Sequence, residues 1–177
     1  MKIIETERLR IRPIEVADVG GVFSIYSSSE VCEFFDLSPF QDLSQALAHV
    51  ERWVRLAGEE KQFRHALLFE EQLIGTCGLY SVTAHHKRAS IGFDLLPAFW
   101  NRGIMTEALE AYIPYCVMRY GLTRIQGLVL PSNGASIRLL EKLGFQREGV
   151  LRKYEHWGRK GLVDLAIYAL LAKVDER

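Results

Sequence analysis

The chain has 177 residues, with 22 Lys and Arg balanced by 22 Asp and Glu and a hydrophobic fraction of 49%. This length suits one domain, 1–177, with room for a sizeable core, and the composition excludes a disordered chain. Zero net charge offers no basic excess for a nucleic-acid duplex, no run reaches the ~18 apolar residues a membrane span needs, and the charged start MKIIETERLRIRP lacks a signal-peptide core, so a cytoplasmic protein that binds neither nucleic acid nor membrane is expected.

RLRIRPI (8–14) alternates apolar and charged residues, which predicts a strand with one wet face, and Pro13 predicts an edge at its end. A helical period follows over 16–26, with Val19, Val22, Phe23 and Tyr26 on one face. A second helix is predicted over 42–57 with Leu43, Leu47, Val50 and Val54 as its buried stripe. Between the two helices, SSSEVCEFFDLSPF is long and aromatic, as loops over binding sites often are; Phe34 and Phe35 either line a substrate-binding site or plug the core. FRHALLFEEQLIGTCGLYSV reads as a hairpin turning at Glu-Glu-Gln, and RASIGFDLL (88–96) as a strand stopped by Pro97. A helix over 104–120 buries Met105, Leu109, Tyr112, Ile113, Cys116 and Val117, with Pro114 expected to bend it. RIQGLVL is a buried strand, NGASIRLLEKLGF a short helix ended by Gly144 with Phe145 folding back, and two strands near 146–154 and 162–172 close the chain. This order predicts an α/β (α+β) fold, a mixed and largely antiparallel sheet of about seven strands flanked by four helices, with one helix crossing between middle strands.

Cys32, Cys77 and Cys116 stand far apart among apolar neighbours, and no His/Cys spacing suits a metal, so small buried thiols and no metal are expected. A basic patch at Arg147, Arg152, Lys153, Arg159 and Lys160 suits a phosphorylated small molecule or acidic peptide. FWNRGIMTEA (99–108) places a polar turn and a glycine at the start of a helix, where the first amides lack acceptors and the dipole favours anions. Gly103 lets an anion such as a diphosphate approach the backbone. Neither a G-x-x-x-x-G-K-[ST] loop nor a G-x-G-x-x-G fingerprint occurs, which excludes a P-loop and disfavours a dinucleotide site.

IGFDLLPAFWNRGIMTEAL, PSNGASIRLLEKLGF and REGVLRKYEHWGRKGLVDLAIYALL, in this order and after ETERLRIRPIEVADV, resemble the GNAT acetyltransferase superfamily over nearly the whole chain, specifically its RimJ/RimL-like branch of ribosomal-protein N-terminal acetyltransferases. The resemblance implies a splayed cleft for acetyl-CoA between strands ending at Leu95 and near Val129. It further implies that Phe93, Asp94 and Leu95 pair with the pantetheine arm and that Trp100, Asn101, Arg102, Gly103, Ile104, Met105 and Thr106 hold the pyrophosphate. Asn133 would bind the cofactor while also suiting a helix N-cap. Trp100-x-x-Gly103-x-Met105 departs from the usual Gln/Arg-x-x-Gly-x-Gly/Ala, Met105 being bulkier than the usual small residue. Leu140 stands where many relatives carry a thiolate-protonating tyrosine, and in the RimL-like pattern that part falls to Ser136.

The same resemblance assigns the amine's general base to Glu155, with Glu148 as runner-up in a place that suggests a structural hydrogen bond. His156 falls on the opposite sheet face from Glu155, and His85 and His86 read as solvated loop residues. The mechanism expected is direct attack in a ternary complex, with a backbone N–H near Leu95 polarising the carbonyl and no acyl-cysteine. At pH 7 an α-amine of pKa about 7.7 is neutral in roughly one molecule in six, and a lysine near 10.4 in roughly one in 2,500. A single carboxylate therefore suits a protein or peptide N-terminus. The alternatives are a small amine (polyamine, aminoglycoside or amino-acid-like metabolite), for which Glu30, Glu33 and Asp36 could line a polyamine site, and a non-catalytic CoA-binding module. The family is compatible with a monomer or a homodimer.

Overall fold

The computed structural model describes residues 3–172. Alternation in the opening strand, β2 (Leu9–Pro13), buries Leu9 and Ile11 and turns the arginines out. Each arginine of RLRIR meets a carboxylate: Arg8 with Glu107, Arg10 with Glu71 and Arg12 with Asp18. β1 (Ile4–Glu5) pairs along the outer side of β2 but stops short of Pro13, which pairs only with the next strand and so leaves that corner an edge.

β3 (Phe63–Phe69) and β4 (Gln72–Thr83) form the expected hairpin, turning at Glu70 and Glu71, both in the left-handed region. β5 (Arg88–Leu95), β6 (Arg124–Val129), β7 (Gln146–Trp157) and β8 (Gly161–Leu171) complete an eight-stranded sheet, in the order β1-β2-β3-β4-β5-β6-β8-β7. Every neighbouring pair is antiparallel except β5 and β6. That parallel pair needs a crossover, supplied by α4 (Ile104–Tyr120).

α1 (Val19–Tyr26) and α3 (Leu43–Gly58) cover one sheet face, where Val22, Ile25, Val50 and Trp53 pack with Ala66 and Leu68 of β3. α4 and α5 (Gly134–Lys142) belong to the other core, with Leu67, Ile74 and Ile125. β3 is therefore buried on both faces, and its alternate residues serve different layers.

Eight strands and five helices among the described residues exceed the expected seven and four. The extra strand, β1, has two residues, too few to carry a period. The extra helix, α2 (Ser29–Cys32), is a single turn inside the aromatic linker, capped by the Ser28 hydroxyl. The stripe expected on α3 is also corrected. Val50 is buried as expected, but its buried companions are Ala46 and Trp53, while Leu43 and Val54 are 54% and 41% exposed. Both stripes obey the helical period; burying Trp53 against Arg64 and Tyr26 selects between them. α4 runs unbroken through Pro114, and all three cysteines are buried thiols.

Candidate active site at the strand splay

Hydrogen-bonded pairing between β5 and β6 covers only Arg88–Arg124, Ala89–Ile125 and Ser90–Gln126. Beyond Ser90 the two strands part, so the edge of β5 facing β6 has no strand partner from Ile91 to Leu95. Two cavities open at this splay, of about 480 and 340 Å3. Phe34, Phe35, Phe93, Asn133 and Ser136 line both, marking where the cavities meet.

The larger cavity runs along Phe93–Leu95 to the turn before α4. Asn101 and Gly103 both adopt left-handed backbone, at φ 57° and 73°. The first helix amide with a backbone acceptor is that of Glu107, on the Gly103 carbonyl at 3.0 Å. Among the described residues, the amides from Asn101 to Thr106 have no protein acceptor, which suits an anion. Gly103 is required for its conformation: a Cβ there would meet nothing closer than Arg8 at 3.7 Å. Glu107 anchors the turn by accepting from Thr6 Oγ1, Arg8 N and Arg8 Nε, and Arg8 also donates to the Arg102 carbonyl.

Trp100, Asn101, Gly103, Ile104, Met105 and Thr106 line this cavity, whereas Arg102, expected to hold a pyrophosphate beside them, does not. Its guanidinium lies over the rings of Phe99 and Phe69, 5.2 and 5.8 Å from their centroids. Met105, 8% exposed, is turned into the core and leaves the cavity open. The Trp100 indole donates to the Leu95 carbonyl at 2.7 Å, so that carbonyl already has a partner at the end of the strand proposed for pantetheine pairing. Asp94 contributes backbone but not a free side chain. Its carboxylate is buried, accepting from Tyr26 Oη (2.6 Å), Thr76 N (3.1 Å), Thr76 Oγ1 and Arg64.

The smaller cavity lies on the α1 and α3 side, between α3 (His49, Arg52, Trp53) and β7 (Glu155, Trp157), above Arg64, Tyr80 and Gly92. Glu155 accepts from the Trp157 indole at 3.1 Å. It lies near enough to Tyr80 to help burial raise that phenol to about 12, so Tyr80 stays protonated at neutral pH. Asn133 caps α5, accepting from the Ser136 amide at 3.1 Å, and this brings Ser136 to the junction of the cavities. Leu140 fills the space beside Gly127, whose Cβ would meet it at 3.0 Å.

Glu148 forms a two-pronged ion pair with Arg124 at 2.8 and 2.5 Å, which holds its carboxyl below the usual range and gives it the structural role expected. Like Glu148, His156 lines neither cavity. The basic patch is divided: Arg159 and Lys160 donate to the carbonyls of Leu37 and Glu33, and Gly158 N donates to Asp36 at 2.8 Å, so the β7–β8 turn latches the aromatic linker beside the smaller cavity. Tyr26, expected only on the apolar face of a helix, lines this cavity, and His49, Arg52, Trp53, Arg64 and Tyr80 were not singled out from sequence. Arg64, a charge inside the apolar run FRHALLF, was the available signal.

The pattern of the acetyltransferase (GNAT) domain matches residues 8–146. The chain belongs to the GNAT acetyltransferase family. Two N-acetyltransferases, both uncharacterized, are each 35% identical to it: p20 of Bacillus licheniformis over 98% of either chain, and YoaA of Bacillus subtilis (strain 168) over 86% of this chain and 87% of its own. The structure of RimL, a ribosomal L7/L12 α-N-protein acetyltransferase, in complex with coenzyme A shares the fold, with a TM-score of 0.89 at 20% identity over 98% of this chain and 100% of its own. This GNAT protein is thus an acetyl-CoA-dependent N-acetyltransferase. Among the described residues no group of side chains suits a metal ion, and no helix is long and apolar enough to cross a membrane.

Proposed function

We propose that the chain acetylates the N-terminal α-amine of a protein or peptide, of the ribosomal-protein type, by direct attack and without an acyl-enzyme. The observation that carries this reading is the meeting of the two cavities at Ser136, with Glu155 on the wall of the acceptor side. Acetyl-CoA supplies an activated thioester. The amides preceding Glu107 would receive its pyrophosphate, and the unpaired edge of β5 its pantetheine arm, an added-strand contact that backbone geometry favours. The Glu155 carboxylate would take the amine's proton, directly or through water, and Ser136 Oγ would hand one to the leaving sulfur. Burial, with the nearby Glu155 charge adding, leaves Tyr80 a protonated neighbour rather than a competing base. Cys77 and Cys116 are poor nucleophiles, because burial raises both thiols, Cys116 to about 12.

A polyamine acceptor has less support. Of the three acidic residues in the linker, only Asp36 lines the acceptor cavity, and it is engaged by the Gly158 amide. An acceptor screen across peptide N-termini, polyamines and aminoglycosides, read by free-thiol release, tests the assignment. Glu155→Gln should lower turnover at least tenfold and shift its pH dependence upward, with acetyl-CoA affinity unchanged. Ser136→Ala should lower turnover without moving that pH profile. Rates for Glu155→Gln that match the parent protein at every pH would remove Glu155 from the mechanism.

A further inference from the structure

Charges lining the acceptor cavity differ in whether the fold already uses them. Arg64 is buried and paired with Asp94. Asp36 accepts from the Gly158 amide, and Glu155 from the Trp157 indole while retaining lone pairs for an amine. Burial, with Arg64 and Arg52 adding, lowers His49 to about 4, so its ring is neutral near pH 7. Arg52 alone among the lining cations is unengaged: it enters none of the ion pairs among the described residues. It projects from α3, whereas Glu155 stands on β7, on the far side of the cavity floor formed by Arg64, Tyr80 and Gly92. The latch from the β7–β8 turn holds the Glu33–Leu37 linker along one side of this cavity of about 340 Å3, and Phe34, Phe35, Asp36 and Leu37 line it there.

We infer that the acceptor is dipolar, its α-amine presented to Glu155 and a carboxylate a few bonds away received by Arg52. This rests on the acetyl-transfer reading and narrows it. A guanidinium matches a carboxylate in two-point geometry and keeps its charge at any working pH. The arrangement also repels the second cation of a polyamine or of a peptide with a basic second residue. The carboxylate has two sources, an acidic residue at the second position of a peptide or the α-carboxylate of a free amino acid.

The test compares kcat/KM for Ser-Asp, Ser-Ala and Ser-Lys peptides, free serine and serinamide, in the parent protein and in R52Q and R52E. Arg52 is exposed on a helix surface, and both replacements keep good helix formers, so folding should survive; a thermal melt checks it. The parent protein should favour Ser-Asp over Ser-Lys by about tenfold, equivalent to about 1.4 kcal/mol. The advantage should lie mainly in KM, shrink in R52Q and reverse in R52E. A larger preference for free serine over serinamide would assign the carboxylate to an amino acid. Equal rates for acidic and basic peptides, or an acidic preference that survives R52E, overturns the inference while leaving acetyl transfer intact. If no amine is acetylated, the catalytic reading fails. Calorimetry with the Ser-Asp peptide and CoA-saturated protein then decides this one: binding abolished by R52E retains it, and its absence overturns both.

Discussion

Ser136 and Glu155 come from separate elements, α5 and β7, and neither has a chemical identity apart from what surrounds it. Ser136 is placed by the Asn133 cap and Glu155 by the Trp157 indole. At this scale the left-handed turn is the sharpest constraint. Asn101 tolerates its φ of 57° because its short polar side chain suits that region, whereas at Gly103 a Cβ would bring strain without a steric clash. Gly103→Ala should therefore cost ~1 kcal/mol of stability in denaturant titration. It should also weaken acetyl-CoA binding several-fold by calorimetry, with Gly103→Asn intermediate in both.

At the scale of elements, α5 illustrates how a cap and a ligand role can share one side chain. Asn133 Oδ1 accepts from Ser136 N, and the residue also lines both cavities. Asn133→Ala should lose about 1 kcal/mol of stability, and Asn133→Ser should recover most of it, because a serine caps nearly as well. If Asn133 also bonds the cofactor, the serine variant will regain stability without regaining acetyl-CoA affinity. The splay belongs to this scale as well. α4 makes β5 and β6 parallel neighbours, and their bonding ends at Ser90 and Gln126.

Across the whole molecule, the buried Arg64–Asp94 pair ties α1, β3, β4 and β5 into one network through Tyr26 and Thr76. Removing one charge leaves the other desolvated, so Asp94→Asn should lower unfolding free energy by about 3 kcal/mol or more. Replacing both members with apolar residues should recover much of the loss. On the opposite face of β3, beside Tyr112 of α4, His65 sets an acid limit. Burial, aided by Arg64, lowers His65 to about 3, while an unfolded histidine titrates near about 6.5. Between those values the unfolded chain binds the proton that the folded chain excludes, so stability falls as pH falls below about 6.5. From pH 7 to 5 His65 should remove about 2 kcal/mol, and His65→Gln should flatten that slope.

Sequence by itself determined the order of elements apart from β1 and α2, the hairpin, the family resemblance, the turn at Gly103 and the cap at Asn133. Those features depend on local periodicity and on backbone preferences that neighbouring residues set. It did not determine which stripe of α3 is buried, because Leu43-Leu47-Val54 and Ala46-Trp53 both follow the helical period and only the Arg64–Tyr26 surface selects the second. It also left unmarked the wall of the smaller cavity at His49, Arg52 and Tyr80, and the turn of Arg102 away from the larger cavity onto Phe69 and Phe99. Those were decided by tertiary structure. A side chain's partners there come from strands and helices distant in the chain, and burial and charge are properties of the assembled layers rather than of any segment.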